Sequence, residues 1–293
     1  MESIFLTGSS GFVGKNLKKQ FTTFNIEEYE RNSEININSN IIIHLAGKAH
    51  DLRFNQPYEE YYESNTELTK RIYDAFLVSK AKVFIMLSSV KAAAESVDEV
   101  LNENFIPNPT THYGKSKFLA EQYIIKKGIR EDKRFYILRP SMIHGPENKG
   151  NLNLLYRFVS FGLPWPLGSF ENKRSFCSID NLFFVIKELI YREDIISGIY
   201  NIADEQPLST NDLIRLIASS QNKKIKILKM PIFLIKFIAM LGDIIGLPIN
   251  NYRLQKLTES FVVSNAKLKQ ALGKSFPVNS YEGLKKTFEY FNN

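Results

Sequence analysis

Apolar positions along this chain come in two textures. Short continuous runs carry no polar alternation: SIFLTG near the N-terminus, NIIIHL at 40–45, KVFIML at 82–87 and the stretch 134–138. Such runs are expected of strands covered by helices on both faces. Between them, stretches with helical spacing occupy 13–21, 58–79 and 113–127. Strand, tight turn and helix therefore repeat, and the pattern predicts an α/β fold built on a Rossmann-type doubly wound parallel sheet. The polar, Asn-rich segment 25–39 leaves room for one weak strand, so that half of the sheet is expected to be abbreviated.

From Glu147 the texture changes to Gly, Asn, Pro and aromatic residues, through GLPWPLGSFENKRSF, which cannot continue the alternation. A helix over 179–192 and a strand over 198–202 return to the sheet. Four further helical stretches follow, at 210–221, 232–241, 264–272 and 280–291. Ser209 and Ser264 suit N-caps and Gly273 suits a C-terminal stop. The expected division is a Rossmann-type sheet domain over 1–146, rejoined by 177–203, and a smaller, mostly helical lobe from 147–176 and 204–293.

With 293 residues, 44% of them hydrophobic and 24% charged, the chain can bury a substantial core, which excludes a disordered reading. The single Cys177 makes no intrachain disulfide, no Cys/His cluster has metal-ligand spacing, and the N-terminus lacks a secretory pattern. No metal and a cytoplasmic setting are expected. The net charge of +7 is interleaved with acidic residues, and no basic helix or zinc finger accompanies it, so nucleic acid is not an expected partner. The most apolar stretch, 230–249, is interrupted by Lys236, Gly242, Asp243, Gly246 and Pro248 and fails as a membrane span. A buried or interface helix pair is expected there, with monotopic membrane contact as the alternative.

Gly8, Gly11 and Gly14, in TGSSGFVG at the end of the first strand, let backbone approach a pyrophosphate and let the next helix pack closely. The helix N-terminus, with unpaired amides and a positive dipole end, would face the anion. An acidic residue about 20 positions on should hold the adenosine ribose of NAD. Glu27, Glu28, Glu30 and Arg31 compete for that place. Acidic residues outnumber the arginine, which favours NAD over NADP. Ala46 and Gly47, after IIIHL, suit a second close backbone approach, and His44 reads as a structural histidine.

Tyr113 and Lys117 lie at i and i+4 in HYGKSK, on one helical face. A free phenol titrates at about 10, so it needs a nearby positive charge to exchange a proton near neutrality. Lys117 can supply that field. Ser89, at the end of a different strand, can hold the same substrate oxygen by a hydrogen bond; Ser88 competes for that role. Alone, a Tyr/Lys pair at this spacing is common on solvated helices; together with a strand-end serine and a glycine turn it points to hydride and proton transfer at a carbinol or carbonyl.

In that combination the chain resembles the extended short-chain dehydrogenase/reductases of the NAD-dependent epimerase/dehydratase family, which act on nucleotide sugars. The pieces are TGSSGFVG, IIHLAG, Ser88-Ser89, YGKSK, LRPSMIHGP, RSFCSIDN and YNIAD, in order from residue 6 to 203. The resemblance implies Ser89, Tyr113 and Lys117 as catalytic residues. It implies cofactor contacts at Gly8, Ser10, Gly11, Phe12, Val13, Gly14, Leu45, Ala46, Gly47 and Pro140, with Tyr113 and Lys117 on the nicotinamide side. Arg174 is implied near the nucleotide diphosphate and Asn65 in polar support of the sheet or of the catalytic helix. Ser89, Asn151, Trp165 and Arg174 are the substrate-binding candidates, and for Trp165 a packing role in the lobe competes. Within the family, FGLPWPLGSFENKRSFCSIDN and the apolar tail are most like bacterial 4-ketoreductases and 4-epimerases of UDP-N-acetylhexosamines in surface polysaccharide synthesis. Reduction of a 4-keto, UDP-linked sugar is therefore expected, with 4-epimerisation on tightly bound NAD as the alternative. A noncatalytic, NAD-sensing protein is a third reading, against which the retained Ser89, Tyr113 and Lys117 argue. A homodimer with peripheral association to membrane polysaccharide machinery is the implied assembly. Val90 and Lys91 stand where a dehydratase would carry an Asp-Glu pair, which disfavours dehydration. Ala92, Ala93 and Ala94 replace a bulkier sequence and are expected to leave a smaller substrate-facing wall.

Overall fold

Every strand of the central sheet runs parallel, and the order of the strands fixes where a ligand can sit. In this computed structural model residues 2–48, 57–148, 150–246 and 249–292 are described. β1 (Ser3–Thr7), β2 (Asn25–Glu28), β3 (Ile41–His44), β4 (Val83–Leu87), β5 (Arg134–Pro140) and β8 (Gly198–Ile202) form a six-stranded sheet in the order β2-β1-β3-β4-β5-β8. The chain moves outward from β1 to β2, then returns to place β3 on the other side of β1. That reversal opens a crevice at the carboxyl ends of β1 and β3, the usual ligand position in such sheets.

The strands read as continuous apolar runs because alternate residues feed two different cores. Ile4 and Leu6 join Ile43, Ile85 and Leu138 beneath α1 (Phe12–Gln20) and α6 (Ile179–Tyr191), which contribute Leu17, Leu182, Phe183 and Ile186. Phe5 and Ile42 join Phe84, Met86 and Ile137 on the opposite face, under Ile72, Tyr73 and Phe76 of α3 (Leu68–Val78) and Ala120 and Ile124 of α4 (His112–Lys127). Full burial of each large side chain stabilises by roughly 1.5–3 kcal/mol relative to exposure. The weak strand of 25–39 exists as β2, four residues long and paired only with β1.

The expected helix over 58–79 is interrupted: α2 (Tyr58–Tyr61) runs into a π-helical turn, Tyr62–Glu67, before α3 begins. β6 (Met142–His144) and β7 (Phe176–Ser178) pair as a small second sheet. Around it pack α5 (Asn151–Ser160), α7 (Thr210–Ser220), α8 (Ile232–Ile245), α9 (Asn251–Thr258) and α11 (Ser280–Tyr290). Leu152, Val159, Trp165, Phe176, Ile214, Ile217, Leu284 and Phe288 fill their common core. α10 (Ala266–Leu272) falls within 204–293, yet its Leu268 and Leu272, with Phe276, pack in the core under the main sheet. Ser209 caps α7 through a reciprocal capping box with Asp212. The N-cap of α10 is Asn265, one residue past the expected Ser264, whose Oγ still accepts the Ala266 N–H at 3.3 Å.

The motifs IHGP, SIDN and NIAD meet at a buried polar junction between the sheet and this lobe. Asp204 accepts hydrogen bonds from the Ser178 N–H (2.9 Å) and Asn181 Nδ2 (2.7 Å), and lies 3.2 Å from His144 Nε2. His144 Nδ1 reaches Thr287 Oγ1 of α11 at 3.0 Å.

Candidate active site

Three glycines shape the turn after β1, each under a different constraint. Gly8 sits at φ +74°, and a Cβ there would lie 2.6 Å from the Ala46 nitrogen at the end of β3. A Cβ on Gly14 would fall 2.3 Å from the Gly8 carbonyl oxygen, so its absence lets α1 start tight against the turn. Gly11 is the N-cap of α1, is solvent-exposed, and a Cβ on it would meet only the Gly8 oxygen, at 3.3 Å. α1 has no side-chain cap and no acidic residue in its first turn. The first-turn amides of α1 therefore have no capping side-chain acceptor, the arrangement that suits a bound phosphate. Glu28, at the end of β2, pairs with Lys18 at 2.8 Å and lies near Ser9 of the turn, and these neighbours hold its carboxyl below the usual carboxylate range. Of the competing acidic residues, Glu28 is thus the one beside the turn; Glu27 instead accepts from Ser39 Oγ at 3.0 Å.

At the end of β3, Leu45, Ala46 and Gly47 line the other side of the crevice. Thr7 Oγ1 accepts the Ala46 N–H at 3.1 Å and lies 2.7 Å from His44 Nδ1. Thr69 Oγ1 donates to the Asn65 carbonyl at 2.6 Å, which leaves it to accept from His44 Nε2 at 2.9 Å. His44 is therefore a neutral histidine with both ring nitrogens engaged, and burial, with the nearby Lys117 charge, pushes its pKa down to about 3. His50 lies outside the described residues.

The π-helical turn aims Asn65 inward. Its Oδ1 accepts the Lys48 N–H at 2.8 Å, and its Nδ2 donates to the Lys48 carbonyl (3.2 Å) and to Ser116 Oγ (2.9 Å). Ser116 Oγ donates in turn to the Tyr113 carbonyl at 2.8 Å, so the crevice edge and α4 are joined through buried polar groups. An extra residue in a helical turn of this kind re-aims a side chain, which is why such turns recur at functional sites.

α4 starts where it does because Thr111 caps it, accepting the Gly114 N–H at 3.1 Å, and because Thr111 is itself held by Glu95. A Cβ on Gly114 would sit 2.5 Å from the Lys91 carbonyl oxygen, in the 3₁₀ turn Val90–Ala92 that follows Ser89. The absence of that atom brings the first turn of α4 against the serine turn, and places Ser89 near enough to the Tyr113 phenol to bear on its titration. Burial raises the Tyr113 pKa, opposed by the nearby Ser89 hydroxyl, so the phenol is protonated at neutral pH. Lys117 is 4% exposed and donates to the Leu87 carbonyl at 3.0 Å; a Cβ on Gly47 would come within 2.9 Å of its ammonium. Burial lowers the Lys117 pKa to about 8, with Glu121 pulling the other way. Ser88 turns away, donating to Glu121, whose carboxylate holds Arg139 through Nε at 3.0 Å in a buried ion pair. Pro140 is buried at the end of β5, and beside it Ser141 Oγ is a buried hydroxyl with no hydrogen-bond partner among the described residues.

The structure thus brings together Gly8, Ser10, Gly11, Phe12, Val13, Gly14, Leu45, Ala46, Gly47, Ser89, Tyr113, Lys117 and Pro140 at one edge of the sheet. Among the substrate candidates the outcome is divided. Arg174 bonds the Lys256 carbonyl at the end of α9 at 2.7 Å, on the same rim as Lys91 and Glu259. Trp165 does not face a sugar: it is 3% exposed, its Nε1 donates to Asn211 Oδ1 at 2.9 Å, and Phe158 packs edge-on against it. The indole therefore has the packing role. Asn151 opens α5, and its side chain lies outside the described part of the structure. Ala92, Ala93 and Ala94 are buried, Ala93 against Val90, Leu101 and Phe261, so they make a packed core and not the smaller substrate wall expected. Sequence reasoning missed Gly114, the Glu121–Arg139 pair and Ser141. Glu121, one turn after Lys117 on the same helical face, was the one signal that could have revealed the second of these.

A glycine-turn α/β fold carrying a serine, a tyrosine and a lysine at one sheet edge defines a nicotinamide-dependent oxidoreductase class. Comparison with known proteins agrees. Residues 20–203 match the family model described as the NAD dependent epimerase/dehydratase family. A UDP-glucose 4-epimerase of Vibrio cholerae is 29% identical, over 99% of this chain and 95% of that protein. An Escherichia coli O157:H7 protein, N-acetyl-alpha-D-glucosaminyl-diphospho-ditrans,octacis-undecaprenol 4-epimerase, is 26% identical over 78% of this chain and 76% of its own. The solved structure of a UDP-N-acetylglucosamine 4-epimerase from Bacillus cereus superposes with a TM-score of 0.77 at 18% identity, covering 100% of both chains. The chain belongs to the NAD dependent epimerase/dehydratase family.

Proposed function

We propose that the protein reduces the 4-keto group of a nucleotide sugar, a UDP-N-acetylhexosamine derivative in polysaccharide synthesis. The observation that carries this reading is the close approach of the Ser89 turn to the first turn of α4, which puts Ser89 near the Tyr113 phenol at the carboxyl edge of the sheet, beside a buried Lys117. The residues present fit a dinucleotide: an exposed glycine N-cap, an α1 terminus without a side-chain cap, and the orphaned hydroxyl of Ser141. Gly8, Ser10, Gly11, Phe12, Val13 and Gly14 would hold its pyrophosphate side, and Leu45, Ala46, Gly47, Pro140, Tyr113 and Lys117 its nicotinamide side. Such a cofactor, when bound, supplies the hydride. The ionised Glu28 beside the turn would repel a 2′-phosphate, which supports NAD over NADP.

Tyr113, held protonated by burial, donates its phenolic proton to the ketone oxygen as C4 is reduced. Ser89 donates a hydrogen bond to that oxygen and fixes its position. Lys117, mostly protonated at neutral pH, offsets the tyrosinate left behind, and solvent restores the proton. Arg174, near α9, would bind the diphosphate through the charge and fork geometry of its guanidinium. A homodimer working in the cytoplasm completes the reading.

The Vibrio cholerae relative, matching almost the whole chain, supports C4-epimerisation as a second reading with the same three residues. Incubation with UDP-GlcNAc and with a 4-keto-6-deoxy-UDP-HexNAc, each with NADH or NADPH, separates them. Product formed with equimolar cofactor oxidation establishes reduction, whereas interconversion without net oxidation establishes epimerisation. Turnover of neither sugar contradicts both.

A further inference from the structure

We propose that helix α8 docks the protein on the headgroup region of an anionic lipid bilayer. α8 is apolar around most of its circumference, IFLIKFIAMLGDII, broken by Lys236 and Asp243, a composition that belongs to a helix covered on more than one side. Only one side is covered. Ile235, Ala239 and Gly242 are buried against the lobe, and Gly242 closes on the Ile249 carbonyl so tightly that a Cβ would sit 1.9 Å from it. Phe233 (76% exposed), Phe237, Met240 and Ile244 (74%) recur at helical spacing on the opposite face and stand in solvent. This is a contiguous apolar stripe, not a scatter of single residues.

The surroundings of the stripe say what covers it. The chain's net charge is +7 and is not evenly spread: 223–256 contains seven Lys and Arg residues against one acidic residue, Asp243. Lys223, Lys224, Lys226 and Lys229 are exposed on the segment leading into α8, and Lys236 is exposed on the flank of its apolar face. An exposed apolar stripe within a segment carrying this excess of lysines matches the layered chemistry of a bilayer surface, with acyl boundary below and anionic headgroups around. A second copy seated on the same face would bring two such excesses of positive charge together, which disfavours self-association there. At 14 residues α8 is about 21 Å long at 1.5 Å per residue, short of the hydrocarbon core, and no described helix is long and apolar enough to cross a membrane. The helix therefore lies in the surface. α9 follows directly and contributes the Lys256 carbonyl that holds Arg174, so docking sets the rim of the candidate site one helix away from the lipid.

The test is co-sedimentation of the full chain with sucrose-loaded vesicles of phosphatidylcholine alone or of equimolar phosphatidylglycerol and phosphatidylcholine. The expected result is binding to the anionic vesicles, weakened about tenfold or more on neutral vesicles and by raised salt. The exposed-face variant Phe233→Glu/Phe237→Glu loses binding to the same degree while its thermal unfolding matches the parent. The independent variant Lys226→Glu/Lys229→Glu weakens binding to anionic vesicles only. Absence of binding to anionic vesicles, or equal binding by parent and Phe233→Glu/Phe237→Glu, overturns the proposal. So does a dimer in sedimentation velocity that the same double variant dissolves, since a second copy would then be the cover.

Discussion

Tyr113, Lys117 and His44 show how burial assigns different protonation states to groups a few residues apart in space. The phenol stays neutral, the ammonium titrates near physiological pH, and the imidazole cannot charge. Replacing Tyr113 by Phe removes the proton donor and leaves the ring, so turnover should fall roughly a hundred- to ten-thousand-fold with cofactor affinity little changed. Steady-state kinetics alongside nicotinamide fluorescence titration checks this. Lys117 must be charged to offset the tyrosinate, so turnover should decline as pH rises through about 8; a profile flat across that value contradicts the assignment. For His44, the folded value of about 3 lies below the ordinary 6.5, so below 6.5 the unfolded chain binds the extra proton. Stability is complete above 6.5 and is lost as pH falls toward 3, by about 1.4 kcal/mol for each unit. His44→Gln should flatten that acid limb in denaturant titrations at several pH values.

At the scale of elements, α4 and its approach to the serine turn decide the site. Gly114→Ala would raise helix propensity by about 1 kcal/mol in an open helix. Here the added methyl collides with the Lys91 carbonyl, so the substitution should instead lower both stability and turnover by pushing Tyr113 away from Ser89. Unchanged kinetics in Gly114→Ala would remove the contact from the account. Tyr113 and Lys117 were legible because their spacing is an intrahelical fact, and the strands because alternate residues of each run enter two cores. Gly114 was not, since its neighbour is a backbone atom of a distant turn. The π-helical turn at Asn65 escaped for a related reason: its apolar spacing is that of an ordinary helix, and only the pairing with Lys48 and Ser116 shows the re-aimed side chain.

For the whole molecule, the sheet was readable because its segments are periodic and bounded by turns, whereas the second lobe was readable only in part. α5 and α9 lie in stretches rich in Asn and Gly and are held by packing rather than by a clear pattern. Trp165 was ambiguous from sequence because an indole suits a sugar face and a core equally, and only the Asn211 and Phe158 contacts settle its direction. The two parts meet at the buried polar junction of His144, Asp204 and Thr287; within the sheet domain a second buried polar contact joins β5 to α4. Arg139 and Glu121 satisfy each other out of water, so Glu121→Ala should cost about 3–5 kcal/mol by stranding the guanidinium. A double replacement by apolar residues of matching volume should recover most of that loss. The most direct measurement is the mass of the sugar formed when the protein is given a 4-keto-6-deoxy-UDP-HexNAc and nicotinamide dinucleotide deuterated at its hydride position. One deuterium at sugar C4 in each product molecule, absent when Tyr113 is replaced by Phe, is the predicted result. Product without deuterium, or full incorporation by the Tyr113→Phe protein, contradicts it.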